Sequence, residues 1–205
     1  DRTGAGARIT DDPGSYLPEM PAIFHPFTFG GRIFAVDSNE PARAWWSNIE
    51  DPLGWPVNNT KLFEEISKDG LTGFFALNGI LYAGTTDALH AMRGDFRTAL
   101  GTSIDLVADF GMVSQRTVQV FGHTAVLLSE DGFVAYDGSS KKDIGGQLGA
   151  LVSPKQELGF DYQFPRAATA AVQYACSTGL RKRGWYCCAL ESTTDGVNDL
   201  WFFLD

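Results

Sequence analysis

The stretch "LSEDGFVAYDGSS", Leu128–Ser140, sets three carboxylates, Glu130, Asp131 and Asp137, among glycines and apolar residues. Carboxylates this close could work as an acid/base pair or as oxygen ligands for a hard cation. The spacing fits neither use. A sialidase-type Asp box reads Ser-x-Asp-x-Gly-x-x-Trp, whereas Ser129-Glu130-Asp131-Gly132 lacks the residue between Asp and Gly and is followed by no Trp. An EF-hand loop needs oxygen ligands at alternate positions and a distant Glu, and this segment does not supply them. Two other carboxylate pairs, Asp11-Asp12 and Glu64-Glu65, are adjacent in sequence, so regular backbone would splay them apart.

The remaining chemistry-bearing residues are dispersed. His25, His90 and His123 lie far apart in the chain, and none neighbours a Ser or Cys in a nucleophile-like context. No Gly-x-Ser-x-Gly elbow, phosphate loop or His-Glu-x-x-His pair is present. Cys176, Cys187 and Cys188 make an odd count without metal-ligand spacing. If Cys187 and Cys188 share a strand they point to opposite faces, which rules out a common tetrahedral site. Reduced, partly buried thiols are expected, as in a protein assembled in a reducing cytoplasm. The sequence therefore predicts no catalytic residue, no metal site and no cofactor.

Tryptophan offers a different chemistry. Trp45-Trp46 and Trp55 could stack on a sugar ring or anchor a protein partner. Neighbouring tryptophans on a strand face opposite ways, so one of Trp45 and Trp46 is expected in the core and the other at a surface. Trp45, Trp46 and Trp55 are the candidate interaction residues, with core packing as their competing use.

Those residues need a scaffold, and composition bounds it. A chain of 205 residues with 44% hydrophobic and 13% aromatic content can bury a sizeable core. Its formal charge of −9 opposes nonspecific grip on nucleic acid or an anionic membrane. No apolar run approaches the roughly 20 residues that span a bilayer. The chain opens on Asp1 without a Met and stops on the strand-like "LWFFLD", which suggests a piece of a longer polypeptide.

Helical periodicity is scarce. "NNTKLFEEISKDG" fits a short helix or an outer strand, and elsewhere short Val/Ile/Phe/Tyr-rich runs alternate with Gly, Asn and Asp turns. Residues 1–23, rich in Gly, Pro and Asp, read as an arm or linker. Over 24–205 one form recurs four times, an apolar strand, a tight turn and a second apolar strand. The copies are "FTFGGRIFAV", "FFALNGILYAG", "VQVFGHTAVLL" and "LRKRGWYCCAL", turning at Gly30-Gly31, Asn78-Gly79, Gly122-His123 and Arg183-Gly184. Asn-Gly and Gly-Gly are strong hairpin signals because both central residues must accept positive φ.

The second turn residues, Gly31, Gly79, His123 and Gly184, are 48, 44 and 61 residues apart. A third strand follows each hairpin: "ARAWWS", "ALHAMRGD", "GFVAYDG" and "DLWFFLD". Outer strands are expected at "LFEEI" and "SIDLVADF", and inner ones at "FTF", "LTGFFALN", "RTVQVF" and "AAVQY". Four-stranded antiparallel meanders recurring at about 45 residues are the footprint of β-propeller blades. The fold class is therefore all-β, with about four propeller-like blades. On this reading "SEDG" is the turn between the second and third strands of the third blade, and "YDGSS" ends that third strand. No WD40 or kelch signature repeats.

The runs "SKDGLTGFFALNGILYAGTTDALHAMRGD", "GMVSQRTVQVFGHTAVLLSEDGFVAYDGSS" and "AAVQYACSTGLRKRGWYCCALESTTDGVNDLWFFLD" resemble propeller-like modules in structural proteins of tailed-phage virions. The likeness is to tail nozzle, tail hub or head–tail connector types. It is carried by Asp69-Gly70, Asn78-Gly79, Ser114, Ser129, Asp131-Gly132, Asp137-Gly138, Tyr186 and Asp205, with "ARAWWSNIEDPLGWP" preceding. His123 departs from the usual turn Gly, and the fourth repeat is stretched.

The resemblance implies a non-enzymatic virion component, assembled in the host cytoplasm and placed in the tail or at the head–tail junction. Its implied partners are other tail or connector proteins and further copies of itself in a homo-oligomeric ring, with no membrane and no sequence-specific nucleic acid. A receptor- or glycan-binding module, with host surface glycan as ligand, is the alternative. A propeller glycan hydrolase ranks behind it, because the expected inner strands carry almost no acids.

Overall fold

The computed structural model describes residue 17 and residues 20–63, 70–146, 175–180, 182, 184–190 and 200–204. The fold is all-β, and its sheets are the blades of a four-bladed β-propeller. Blade I contains β1 (Ile23–Phe29), β2 (Arg32–Asp37), β3 (Arg43–Trp46) and β4 (Thr60–Leu62). Blade II contains β5 (Gly73–Leu77), β6 (Ile80–Gly84), β7 (Leu89–Gly94) and β8 (Thr102–Ala108).

Blade III is β9 (Gln119–Phe121), β10 (Thr124–Ser129), β11 (Gly132–Tyr136) and β12 (Lys141–Asp143), preceded by a 3-10 turn over Gln115–Thr117. Blade IV shows β13 (Cys176–Leu180), β14 (Trp185–Leu190) and β15 (Leu200–Leu204). Each sheet is an antiparallel meander in sequence order.

Turn chemistry explains the hairpins. Phe29 pairs with Arg32 around Gly30 and Gly31, and Leu77 pairs with Ile80 around Asn78 and Gly79. All four turn residues hold positive φ, between 52° and 76°, as a type I′ turn demands. In blade III Phe121 pairs with Thr124, yet only Gly122 of its turn has positive φ. This is the type II′ pattern, in which the second position needs no glycine, so His123 costs nothing there.

The fourth hairpin corrects the sequence expectation. Leu180 pairs with Trp185, so the connection spans residues 181–184 rather than Arg183-Gly184 alone. The blade IV inner strand is β13, whereas "AAVQY" lies outside the described residues. The outer strand of blade I is Thr60–Leu62, which overlaps the expected "LFEEI" only at Leu62, and residues 64–66 of that stretch lie outside the described ones. The outer strand of blade II falls where "SIDLVADF" placed it. Strand β1 begins at Ile23, and residues 1–16 fall outside the described residues.

Alternation within the strands gives blades II and III an apolar face on each side, and consecutive blades pack face to face. Between blades I and II, Phe34, Val36, Ala44 and Trp46 meet Phe74, Leu81, Ala83 and Met92. Between II and III, Phe75, Leu77, Tyr82 and Ala91 meet Ala125, Leu127, Val134 and Tyr136. Between III and IV, Val126, Leu128 and Phe133 meet Tyr186, Cys188, Leu190 and Phe202. Full burial of each large side chain is worth roughly 1.5–3 kcal/mol, so these seams hold the blades together.

Candidate functional site

Polar ties reinforce the seams, and they consume most of the residues that drew attention in the sequence. The Trp46 indole N–H donates to the Phe96 carbonyl at 2.7 Å, tying blade I to blade II. At the II–III seam, the Asn78 side-chain amide donates to the Asp137 carbonyl at 3.1 Å, while Asn78 Oδ1 lies 2.7 Å from His123 Nδ1. Across III–IV the Tyr186 hydroxyl donates to the Thr117 carbonyl at 2.7 Å. Burial holds that phenol well above its ordinary value, so it stays a protonated donor. Near the inner strands, Gln115 accepts from the Phe74 N–H and donates to the Pro26 carbonyl, joining three blades.

The opening acidic stretch is turn scaffolding. Glu130 and Asp131 form the turn between β10 and β11, where the Ser129 hydroxyl accepts from the Asp131 N–H and donates to the Gly132 carbonyl. Asp137 accepts from the backbone N–H groups and both hydroxyls of Ser139 and Ser140. Those hydrogen bonds, the Ser140 N–H foremost, hold its carboxyl far below the usual carboxylate range.

Glu130 and Asp131 also line a small cleft with Thr86, Asp87, Asp109, Phe110, Gly111 and Ser129, at the II–III seam. Asp87 and Asp131 among its acids have local partners. Asp87 accepts from the Thr85 hydroxyl at 2.7 Å, and Lys141 stands 3.8 Å from Asp131 and 5.2 Å above the Phe110 ring. Among the described residues no three His, Cys, Asp or Glu side chains converge as metal ligands would.

The histidines and cysteines remain apart. His25 holds positive φ at an irregularity in β1, and burial, then the nearby Arg116 charge, lowers its pKa. His90 is buried, with its ring edge-on to Phe63 at 5.8 Å and burial lowering its pKa. Cys187 and Cys188 do point to opposite faces of β14, since they pair with Phe203 and Phe202 respectively. Burial pushes the Cys188 thiol up to about 12, which makes it an inert core group. All three cysteines are free thiols.

Of the adjacent pair, Trp46 lies in the core and Trp45 at the surface, as strand alternation predicts, and Trp55 joins the core. Trp46 and Trp55 are both buried, so neither ring face can receive a sugar or a partner. The stacking role expected of them does not survive. Trp46 fills the I–II seam against Phe34, and Trp55 is held by its N–H to the Pro52 carbonyl at 3.1 Å. Trp45, on the opposite face of β3, is half-buried and donates its N–H to Asp37 at 2.8 Å.

The exposed aromatics lie elsewhere. Trp201 and Phe203 on β15 are 62% and 65% exposed. They occupy the blade IV face turned away from blade III, beside exposed Leu180 and half-buried Trp185. Sequence reasoning passed over this pair, although the alternation in "DLWFFLD" was its signal. What sequence could not supply is that, among the described residues, none covers Trp201 and Phe203 on that side of the alternation.

Fold and surface together define a β-propeller in which Asn78, Asp137, Ser129 and Tyr186 serve turns and seams, and in which Trp201 and Phe203 are exposed on blade IV. No protein-family model matches the chain, and no curated protein matches its sequence.

Proposed function

We propose that this chain is a non-enzymatic structural component of a tailed-phage virion, set in the tail or at the head–tail junction. It works by surface complementarity with other tail or connector proteins and with further copies of itself. One observation carries the reading. The residues on which the phage resemblance rests are spent on scaffold: Asn78 and Asp137 on the II–III tie, Ser114 on capping the 3-10 turn, Ser129 on the β10–β11 turn, and Tyr186 on the III–IV tie.

Propellers as a class also host enzymes, so the fold itself does not decide the point. Mass spectrometry and immuno-electron microscopy of purified particles test the proposal. The chain is expected in a fixed copy number per particle at the tail or its junction, and its absence from intact particles overturns the reading. Glycan binding retains one candidate of the original three, half-buried Trp45 beside the Asp37 carboxylate.

A further inference from the structure

The third strand of each blade presents residues to the face turned toward the next blade. In blade I these are Ala44 and Trp46, both fully buried, and in blade II Leu89 and Ala91, also fully buried. In blade III Phe133 is 1% exposed. The same positions of blade IV are Trp201 and Phe203, and they are the exception, with almost two thirds of each side chain open. Around them Leu180 is 50% exposed, and Cys176 and Thr178 are exposed on the same side of β13. None of these five carries a charge.

We propose that this face is a twofold docking surface for a second copy of the chain, with blade IV of one copy packed against blade IV of the other. Three observations favour that occupant. Apolar sheet faces in this molecule are covered by another apolar sheet face, at each of three seams. Two copies that each carry a formal −9 repel through their charged surfaces, so they meet most readily through a patch without charge.

The blade I face that would offer a head-to-tail alternative differs in chemistry, since Asp37, Glu40 and Arg43 set charges on and beside it. Trp45 is held by Asp37, Arg43 pairs with Glu40 at 2.8 Å, and Ile33 and Leu62 are half-buried. Of the large apolar side chains exposed elsewhere among the described residues, Met20 precedes β1, Leu53 and Val57 sit in one loop, and Leu100 and Leu106 lie on blade II. The surface that matches the patch best in chemistry is the patch itself, which is the condition for an isologous dimer.

The inference is independent of the virion proposal, since one is read from the purified chain and the other from particles. Sedimentation velocity of the chain over a hundredfold concentration range tests it. A monomer–dimer equilibrium is expected, with the indole fluorescence less accessible to acrylamide in the dimer. The double variant Trp201→Ser/Phe203→Ser is expected to raise the dimer dissociation constant at least about 30-fold, as loss of a buried aromatic anchor does.

Its circular dichroism should match wild type, because both side chains are exposed. If it does not, Trp201→Ser alone carries the same expectation. A wild-type chain that stays monomeric, a dimer indifferent to these substitutions, or assembly that grows beyond two copies through this face would each overturn the proposal. So would a monomer whose Trp201 is protected by a host glycan instead.

Discussion

Blades II and IV are built from the same meander and differ in how they are finished. Blade II has a neighbour on each face. Phe74, Leu81 and Met92 look toward blade I, Phe75, Tyr82 and Ala91 toward blade III, and β8 completes its outer edge. Blade IV has three described strands and one seam, and its other face holds the two most exposed aromatic rings among the described residues, Trp201 and Phe203. The apolar alternation in sequence is equal in the two. The difference shows that alternation prescribes a pair of apolar faces, and neighbours determine whether those faces become core or contact surface.

The sharpest way to break this comparison is to truncate one aromatic from each kind of face. Trp46→Ala empties a fully buried site and removes the hydrogen bond to Phe96, so it should cost about 3–5 kcal/mol in chemical denaturation. Trp201→Ala, measured at a concentration where the chain is monomeric, should change stability by less than about 0.5 kcal/mol. Equal losses would mean that the blade IV face is core after all.

A second contrast lies within blade III. Gly132 holds φ of 125°, a conformation that side chains rarely adopt. Gly132→Val should therefore cost on the order of 1 kcal/mol or more and lower the melting temperature. Glu130→Ala, two residues earlier in the same turn, should be nearly silent, within about 0.5 kcal/mol.

Protonation separates the blades in a third way. His90 is buried at the I–II seam, with Phe63 against its ring and Asp87 the nearby charge acting on it. Its folded pKa lies below the ordinary 6.5, so the unfolded chain binds the proton more readily. Stability is thus full above about pH 6.5 and falls as pH drops toward the folded pKa. His25 acts in the same direction. His90→Leu should flatten this slope in melting curves taken from pH 7 to pH 5, whereas a slope unchanged by the substitution removes His90 as its source.

Asp137 adds a separate acid limb. Its folded pKa is depressed, so its contribution is present above the ordinary value of 3.8 and is lost as pH falls below it. The smallest effect expected is none at all. Calcium should leave the melting temperature unchanged, and a rise abolished by Asp131→Ala would reveal an ion site in the β10–β11 turn.

Much of the architecture was legible because turns are local. Gly30-Gly31 and Asn78-Gly79 announce type I′ hairpins through the φ they permit, and strand alternation around them needs no knowledge of the rest of the chain. The use of Asp137 was legible for the same reason, since its partners Ser139 and Ser140 are two and three residues away. The four-residue connection at 181–184 was not, because Arg183-Gly184 contains a permissive glycine without fixing which residues pair across it.

The tryptophans were decided only by packing. Trp45 and Trp46 are the same residue type on adjacent positions, and pleating guarantees opposite faces without saying which face meets blade II. Trp201 was not singled out at all, because exposure is a property of what lies opposite, and a sequence does not carry the position of the facing sheet. Sequence by itself determined the blades, through short-range turn and strand chemistry. The tertiary structure alone decided which apolar faces close into seams and where Trp201 and Phe203 stay exposed, because burial depends on contacts between residues many tens of positions apart.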